Sequence, residues 1–306
     1  MQPLALTDLT DQVLNLTPTQ GLGIPVALIG AVFLALGAQF QHRGVGKVEA
    51  KLGGAARGLN RRQLVALLTR PSWLFGTFLL LLAILFQLTS LYLAPLIVVQ
   101  PLGAVALVIT ALVNARVSGM KLDRATMRSI ALCVGGVAVF VTIAAFTARE
   151  TEITDSQLIT VLVILGVVLV AAAAAFAVLR SQFKAIIYIV AAGILYGFVA
   201  TLAKVIINRV RLENFDVLTF ICVIALLAAT ALGAYFVQTA YASGPPDLVI
   251  AGLTVIDPLV AVSIGIVVLG EASGAPPLAI AAFVVTGAVA IYGVFQLAKH
   301  HPQNQR

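Results

Sequence analysis

Val255-Ile256-Asp257-Pro258-Leu259 lies near the middle of an apolar run from Leu248 to Leu269, and Val98-Val99-Gln100-Pro101-Leu102 reads as its counterpart in the first half of the chain. Such a run is long enough to cross a hydrocarbon core of about 30 Å, which takes about 20 helical residues. One copy has an acid before its proline and the other an amide. A carboxylate at bilayer depth costs about 2.5–3.5 kcal/mol on insertion scales, so Asp257 reads as a functional residue.

The rest of the chain extends that reading. Of its 306 residues 61% are hydrophobic and 10% charged, and the mean hydropathy is +1.07. Apolar runs of membrane-spanning length recur, which excludes a soluble domain. They do not alternate apolar with polar positions, so a β-barrel is not expected. The expected fold is all-α and polytopic, with nine spans at about 22–41, 72–94, 95–118, 127–147, 157–179, 184–208, 216–240, 247–269 and 277–298.

Charge orients these spans. Arg43, Lys47, Lys51, Arg57, Arg61, Arg62 and Arg70 follow the first span. Lys121, Arg124 and Arg128 separate the third from the fourth, Arg180 and Lys184 the fifth from the sixth, and Lys299 and Arg306 lie in the tail. With nine spans all fall on one side, which the positive-inside rule makes cytoplasmic. The expected location is the plasma membrane, with the N-terminus outside and the C-terminus inside. Glu150, Glu152, Asp155, Glu213, Asp216 and Glu271 fall on the outer side, together with Arg149, Arg209 and Arg211. The net charge of +7 is thus a topology signal and not a nucleic-acid footprint.

The expected organisation is an extracytoplasmic segment 1–21, a first repeat 22–148 with a cytoplasmic basic loop 42–71, a second repeat 149–298 and a tail 299–306. Residues 1–20 lack the basic start of a signal peptide. Within 43–71, Asn60 could cap a short interfacial helix carrying Leu64, Leu67 and Leu68, and a solvated linker is equally open. Cys133 and Cys222 lie in apolar runs and read as packing residues. His42, His300 and His301 stand at helix ends or in the tail, which supports no histidine metal cluster and no cofactor.

The repeat is the strongest organisational signal. Gln87 followed by Pro101 matches Gln238 followed by Pro258, and Gly136-Val137-Ala138-Val139 matches Gly287-Ala288-Val289-Ala290. Spans 2–4 therefore resemble spans 7–9. Copies five spans apart run in opposite directions, the inverted-repeat plan of many transporters, whose sites lie at the midplane between repeats.

Candidate site residues follow. Thr254 and Asp257 share a helical stripe with Ile250, Ala261 and Gly265. Pro258 leaves the Thr254 carbonyl without its helical donor, and Pro101 does the same to Ile97 beside Gln100. Gln87, Gln100, Gln238 and Asp257 are expected to form a polar ring, with Tyr235 as a deeper aromatic contact. The plain alternative for the amides is helix-to-helix hydrogen bonding. Lys204 either pairs with Asp257 or snorkels to the outer surface. Gly193 and Gly197 read as a close-packing pair, and Trp73, Tyr92, Tyr196 and Tyr241 as interface anchors.

The stretch Leu91-Tyr92-Leu93-Ala94-Pro95-Leu96-Ile97-Val98-Val99-Gln100-Pro101-Leu102-Gly103-Ala104 resembles the corresponding segment of NIPA-type magnesium transporters, within the drug/metabolite transporter superfamily. Pro71-Ser72-Trp73-Leu74-Phe75-Gly76, Gly37 to Gly44 and Gln238-Thr239-Ala240-Tyr241 support it. The resemblance implies inverted repeats, nine or ten helices and alternating access. The chain departs from it at Asp257, where that family typically has no acid. The acid common at the end of the fourth helix of an EamA-type repeat is replaced by Asn114 in the first copy, and Glu271 stands in that place in the second.

The expected function is secondary transport of a small solute, a metabolite or drug-like compound, coupled to protons through Asp257. The alternatives are a NIPA-like divalent-cation transporter, with Asp257 as the metal ligand and three glutamines beside it, a lipid-intermediate flippase, and a non-transporting membrane subunit. No Ser/His/Asp, His-rich or paired-acid constellation stands at depth, so an enzyme is not expected. The partners expected are the solute or ion and the bilayer. Pairing into a homodimer is left open.

Overall fold

The structure, a computed structural model, describes residues 18–52, 66, 68–117, 123–149, 152–179, 185–243 and 246–299. These form ten helices: α1 (Pro18–Leu52), α2 (Pro71–Leu93), α3 (Leu96–Leu102), α4 (Ala104–Val117), α5 (Arg124–Thr147), α6 (Asp155–Leu179), α7 (Ala185–Arg211), α8 (Val217–Ser243), α9 (Pro246–Val267) and α10 (Pro277–Lys299). Among the described residues there is no strand. Among the described residues nine segments are long and apolar enough to cross a membrane, α3 and α4 together supplying the third.

The outside of the bundle is apolar. Val167, Val170, Ile224 and Val284 are each more than 60% exposed. In water such a surface would drive association, whereas lipid is its natural solvent. The chain is a multi-pass membrane protein.

Two elements differ from the expected spans. Helix α1 continues to Leu52, so part of the basic loop 42–71 is helical. Asn60, Leu64 and Leu67 lie outside the described residues. The expected third span is broken at Gly103, between α3 and α4. Pro101 has no N–H to give Ile97, and the Gly103 and Ala106 amides close tighter three-residue bonds to Gln100 and Gly103, each 3.1 Å. Pro258, in contrast, sits inside a continuous α9.

Glycine decides which helices touch. Gly23, Gly30, Gly37 and Gly44 recur every seventh residue of α1. The last three face α2, where a Cβ would meet Phe86, Leu80 and Trp73 at 2.8–3.1 Å. Gly76 answers from α2, with the Gln41 nitrogen and Gly37 oxygen 2.7 Å from where its Cβ would be. A heptad seam of this kind lets two backbones run side by side, and dispersion between close surfaces holds helices in lipid. On α7, Gly193 and Gly197 pack against Ile256 and Val260 of α9, as expected for a close-packing pair. Helices α5 and α10 meet through Gly136 against Ala290 and through the Phe140 and Phe283 rings, 4.9 Å apart. The principal pairs are α1 with α2, α7 with α8, α7 with α9, and α5 with α10.

One end of the bundle gathers the α2–α3 turn, the start of α6, the α7–α8 connection and the α9–α10 loop. It is called here the turn end. There Thr154 and Gln157 form a reciprocal capping box at the start of α6, each accepting from the other's amide at 3.3 and 2.9 Å. Arg209, 3% exposed, donates to Asp155 at 2.6 Å and Asp216 at 3.3 Å. Arg211 lies over the Tyr92 ring, 5.6 Å from its centroid. Two of the three arginines on the acidic side thus have partners there.

Candidate functional site

Pro101 and Pro258 line one cavity of about 80 Å³, between α3, α5, α9 and α10, walled also by Phe140, Thr254, Val262 and Ile291. Both prolines stand inside apolar segments, which tolerate a missing helical bond only where protein covers it. The Thr254 hydroxyl bonds the Ile250 carbonyl at 2.8 Å and so spends itself within its own helix. The cavity walls are therefore apolar.

The two polar residues next to these prolines do not line this cavity. Gln100, 5% exposed, and Asp257, half-buried, each precede one of the prolines. The Gln100 Nε2 and one Asp257 carboxylate oxygen, Oδ1, are buried with no hydrogen-bond partner among the described residues. A buried group left in that state costs about 1–3 kcal/mol. The α9 backbone around Asp257 is pinned from behind, since Gly197 places its Cα against the Asp257 carbonyl, 3.0 Å from where a Cβ would be.

The remaining candidates lie elsewhere. Gln87 is half-buried on α2. Its neighbour Ser90 is fully buried and donates to the Gly23 carbonyl at 2.8 Å. Gln238 is exposed on α8, and Tyr235, 57% exposed, packs on Phe236 with ring centroids 5.7 Å apart. Both therefore face outward and not into the proline cavity. The backbone of Asn114 belongs to α4, and its side chain is outside what is described. The Tyr196 ring packs on Gly233 of α8. Among the described residues no three His, Cys, Asp or Glu side chains gather, so a metal at this depth would have Asp257 as its carboxylate and amides or carbonyls as its other ligands.

Lys204 corrects the expectation for it. It neither reaches for Asp257 nor snorkels: at 3% exposure its ammonium donates to the Leu91 carbonyl at 2.7 Å and the Ala94 carbonyl at 3.0 Å. Those carbonyls close α2, where a cation is favourable. Glu271, 4% exposed, completes the turn from the other side. Its two carboxylate oxygens accept from the Leu96 and Ile97 amides, both at 2.8 Å. The resemblance drew attention to Glu271, but nothing local in the sequence pairs it with residues 175 positions away. Arg209 was missed, for its two acids come from different connections.

No protein-family model matches the chain, and no solved structure matches it. The chain is 26% identical over 253 residues to an uncharacterized protein of Corynebacterium glutamicum, an alignment covering 82% of this chain and 85% of that relative. The alignment thus covers most of both chains.

Proposed function

We propose that this chain is a secondary transporter of a small solute across the plasma membrane, working by alternating access, with Asp257 as the proton- or cation-binding residue. The observation that carries the reading is the two unmet buried atoms, Gln100 Nε2 and Asp257 Oδ1, each on the residue before one of the two prolines that line a single cavity. A solute or water-bound ion that offers an acceptor to the amide and a proton or positive charge to the carboxylate satisfies both. An intramembrane acid has few other uses.

The pairing of helices supports the inverted-repeat part of the reading. If α1, α2, α3–α4 and α5 correspond to α7, α8, α9 and α10, then α1 on α2 answers α7 on α8, and α5 on α10 and α3 on α9 are contacts across a pseudo-two-fold axis. Helix α6 is then the extra span between copies. The resemblance to drug/metabolite transporters agrees with this arrangement, and the positive-inside rule places the turn end outside the cell.

The test is charge movement in proteoliposomes adsorbed on a solid-supported membrane, challenged with small organic amines, neutral metabolites and Mg²⁺. The expected result is a solute-triggered current in the wild type that Asp257→Asn abolishes. Equal currents from the two proteins would overturn the coupling role, and a current with Mg²⁺ alone would move the assignment to a divalent-cation transporter.

A further inference from the structure

At the turn end, contacts between the two halves of the chain converge on one short element. Helix α3 is seven residues long and carries Gln100 and Pro101. Its far end is the one-residue turn at exposed Gly103, whose backbone keeps helical angles of φ −58° and ψ −31° as it leads into α4. At its near end, second-half side chains hold backbone atoms of the first half. Lys204 of α7 grips the carbonyls of Leu91 and Ala94, and Glu271 of the α9–α10 loop grips the amides of Leu96 and Ile97.

The second half is shaped to present that grip. Gly270 takes a φ of +71°, turning the loop so that Glu271 points inward. The Glu271 amide bonds the Gly265 carbonyl at 2.9 Å, and the Arg149 amide bonds the Glu271 carbonyl at 2.8 Å. A Cβ on Gly265 would lie 2.9 Å from the Glu271 Oε2, so only glycine leaves room for the carboxylate. The side chain is therefore rigidly aimed. What it holds is a short element joined to α4 through Gly103.

We propose that Lys204 and Glu271 form a gate that closes the turn end of the pathway by clasping the α2–α3 turn, and that α3 moves about Gly103 when the clasp opens. The inference rests on the transport reading, since alternating access requires contacts between the halves at one end to part. Four directional hydrogen bonds to backbone suit this role, since each can be exchanged for water as the end opens, while the buried Leu91, Leu96 and Ile97 side chains seal the turn when it is closed. Displacing α3 would also move Gln100 and Pro101, which it carries, and with Pro101 one wall of the proline cavity.

Thiol labelling tests this without any solute. Ala104, which lines the proline cavity and is 6% exposed, is changed to cysteine in full-length protein carrying Cys133→Ala and Cys222→Ala. The protein is reconstituted in sealed vesicles selected for an outward-facing N-terminal tag, because α1 begins at the turn end, with Gly23 against Ala94. A membrane-impermeant maleimide is added outside. Lys204→Met and Glu271→Gln are each expected to raise the labelling rate about tenfold or more, the shift that loss of a charge-assisted bond produces in a two-state equilibrium. Native Cys133, fully buried between α5 and α10, serves in a parallel protein without the Ala104 change as the control for general loosening, and its rate is expected to stay constant. An unchanged Ala104→Cys rate in both variants, or a parallel rise at Cys133, would overturn the gate. Because labelling needs no transported solute, failure of the Asp257 current assay and failure of the gate are separate results.

Discussion

The Lys204 ammonium donates to the Leu91 carbonyl at 2.7 Å, joining residues 113 positions apart in the chain. A cation that closes one helix from the side of another is a tertiary fastening. Glu271 is its counterpart on the next helix, so the Ala94–Pro95 turn is held by a positive group on its carbonyl side and a negative group on its amide side.

Removing the cation leaves two carbonyls without their donor in a site that water does not reach. Lys204→Met is expected to destabilise the protein by about 2–4 kcal/mol, the range for stripping one partner from a buried charged contact. Thermal unfolding in detergent, followed through the helical circular-dichroism signal, reads it. A midpoint within error of the wild type would mean that the contact contributes nothing to the fold.

Asp257 is expected to behave in the opposite way. Its Oδ1 is buried without a partner, so an apolar residue of similar size removes a cost and no bond. Asp257→Leu is expected to unfold at the wild-type temperature or above it, within about 1 kcal/mol, while transport current is lost. A clear loss of stability would mark Asp257 as a structural residue instead.

The α1–α2 seam gives one substitution, and helix α5 gives its control. At Gly76 an added Cβ meets the Gln41 nitrogen and the Gly37 oxygen at 2.7 Å, both backbone atoms that cannot rotate away. Gly76→Ala is expected to cost about 1–3 kcal/mol, as overpacking does. Gly135 opens into free space, so Gly135→Ala is expected to be neutral or to stabilise by up to about 1 kcal/mol through helix propensity. Comparing both unfolding midpoints in one detergent checks the seam.

Asp216 supplies a pH dependence outside the spans. The Thr219 backbone amide, then the Thr219 hydroxyl and the Arg209 guanidinium, hold its carboxyl below the usual value of 3.8. A depressed folded-state value means that the charged form is favoured by folding. The contribution is present above pH 3.8 and lost as pH falls through the lower folded value. Asp216→Asn is therefore expected to unfold at a lower temperature than the wild type at pH 6, with the gap narrowing below pH 3.8. A gap that does not vary with pH would remove the charge from the explanation.

Span number, the doubled proline and the acid beside it were legible because a bilayer imposes them locally. A spanning helix needs about 20 apolar residues whatever surrounds it, and an acid or proline among them stands out against that background. The split of the third span at Gly103 was half legible, since Pro101 announced a lost bond but identical chemistry at Pro258 left α9 continuous. The glycine heptad of α1 was also present in the sequence, as a spacing that becomes meaningful once α2 is seen against it.

What the sequence by itself determined is the membrane class, the number of apolar spans and the place of Gln100 and Asp257 each one residue before a proline inside such a span. What only the tertiary structure decided is which way each side chain points: Tyr235 outward, Lys204 into the α2–α3 turn, Glu271 onto two distant amides. The reason is the solvent. In water the apolar face of a helix reports its inside, but in lipid both faces are apolar, and the rotation of a helix is set by close contact with its neighbours.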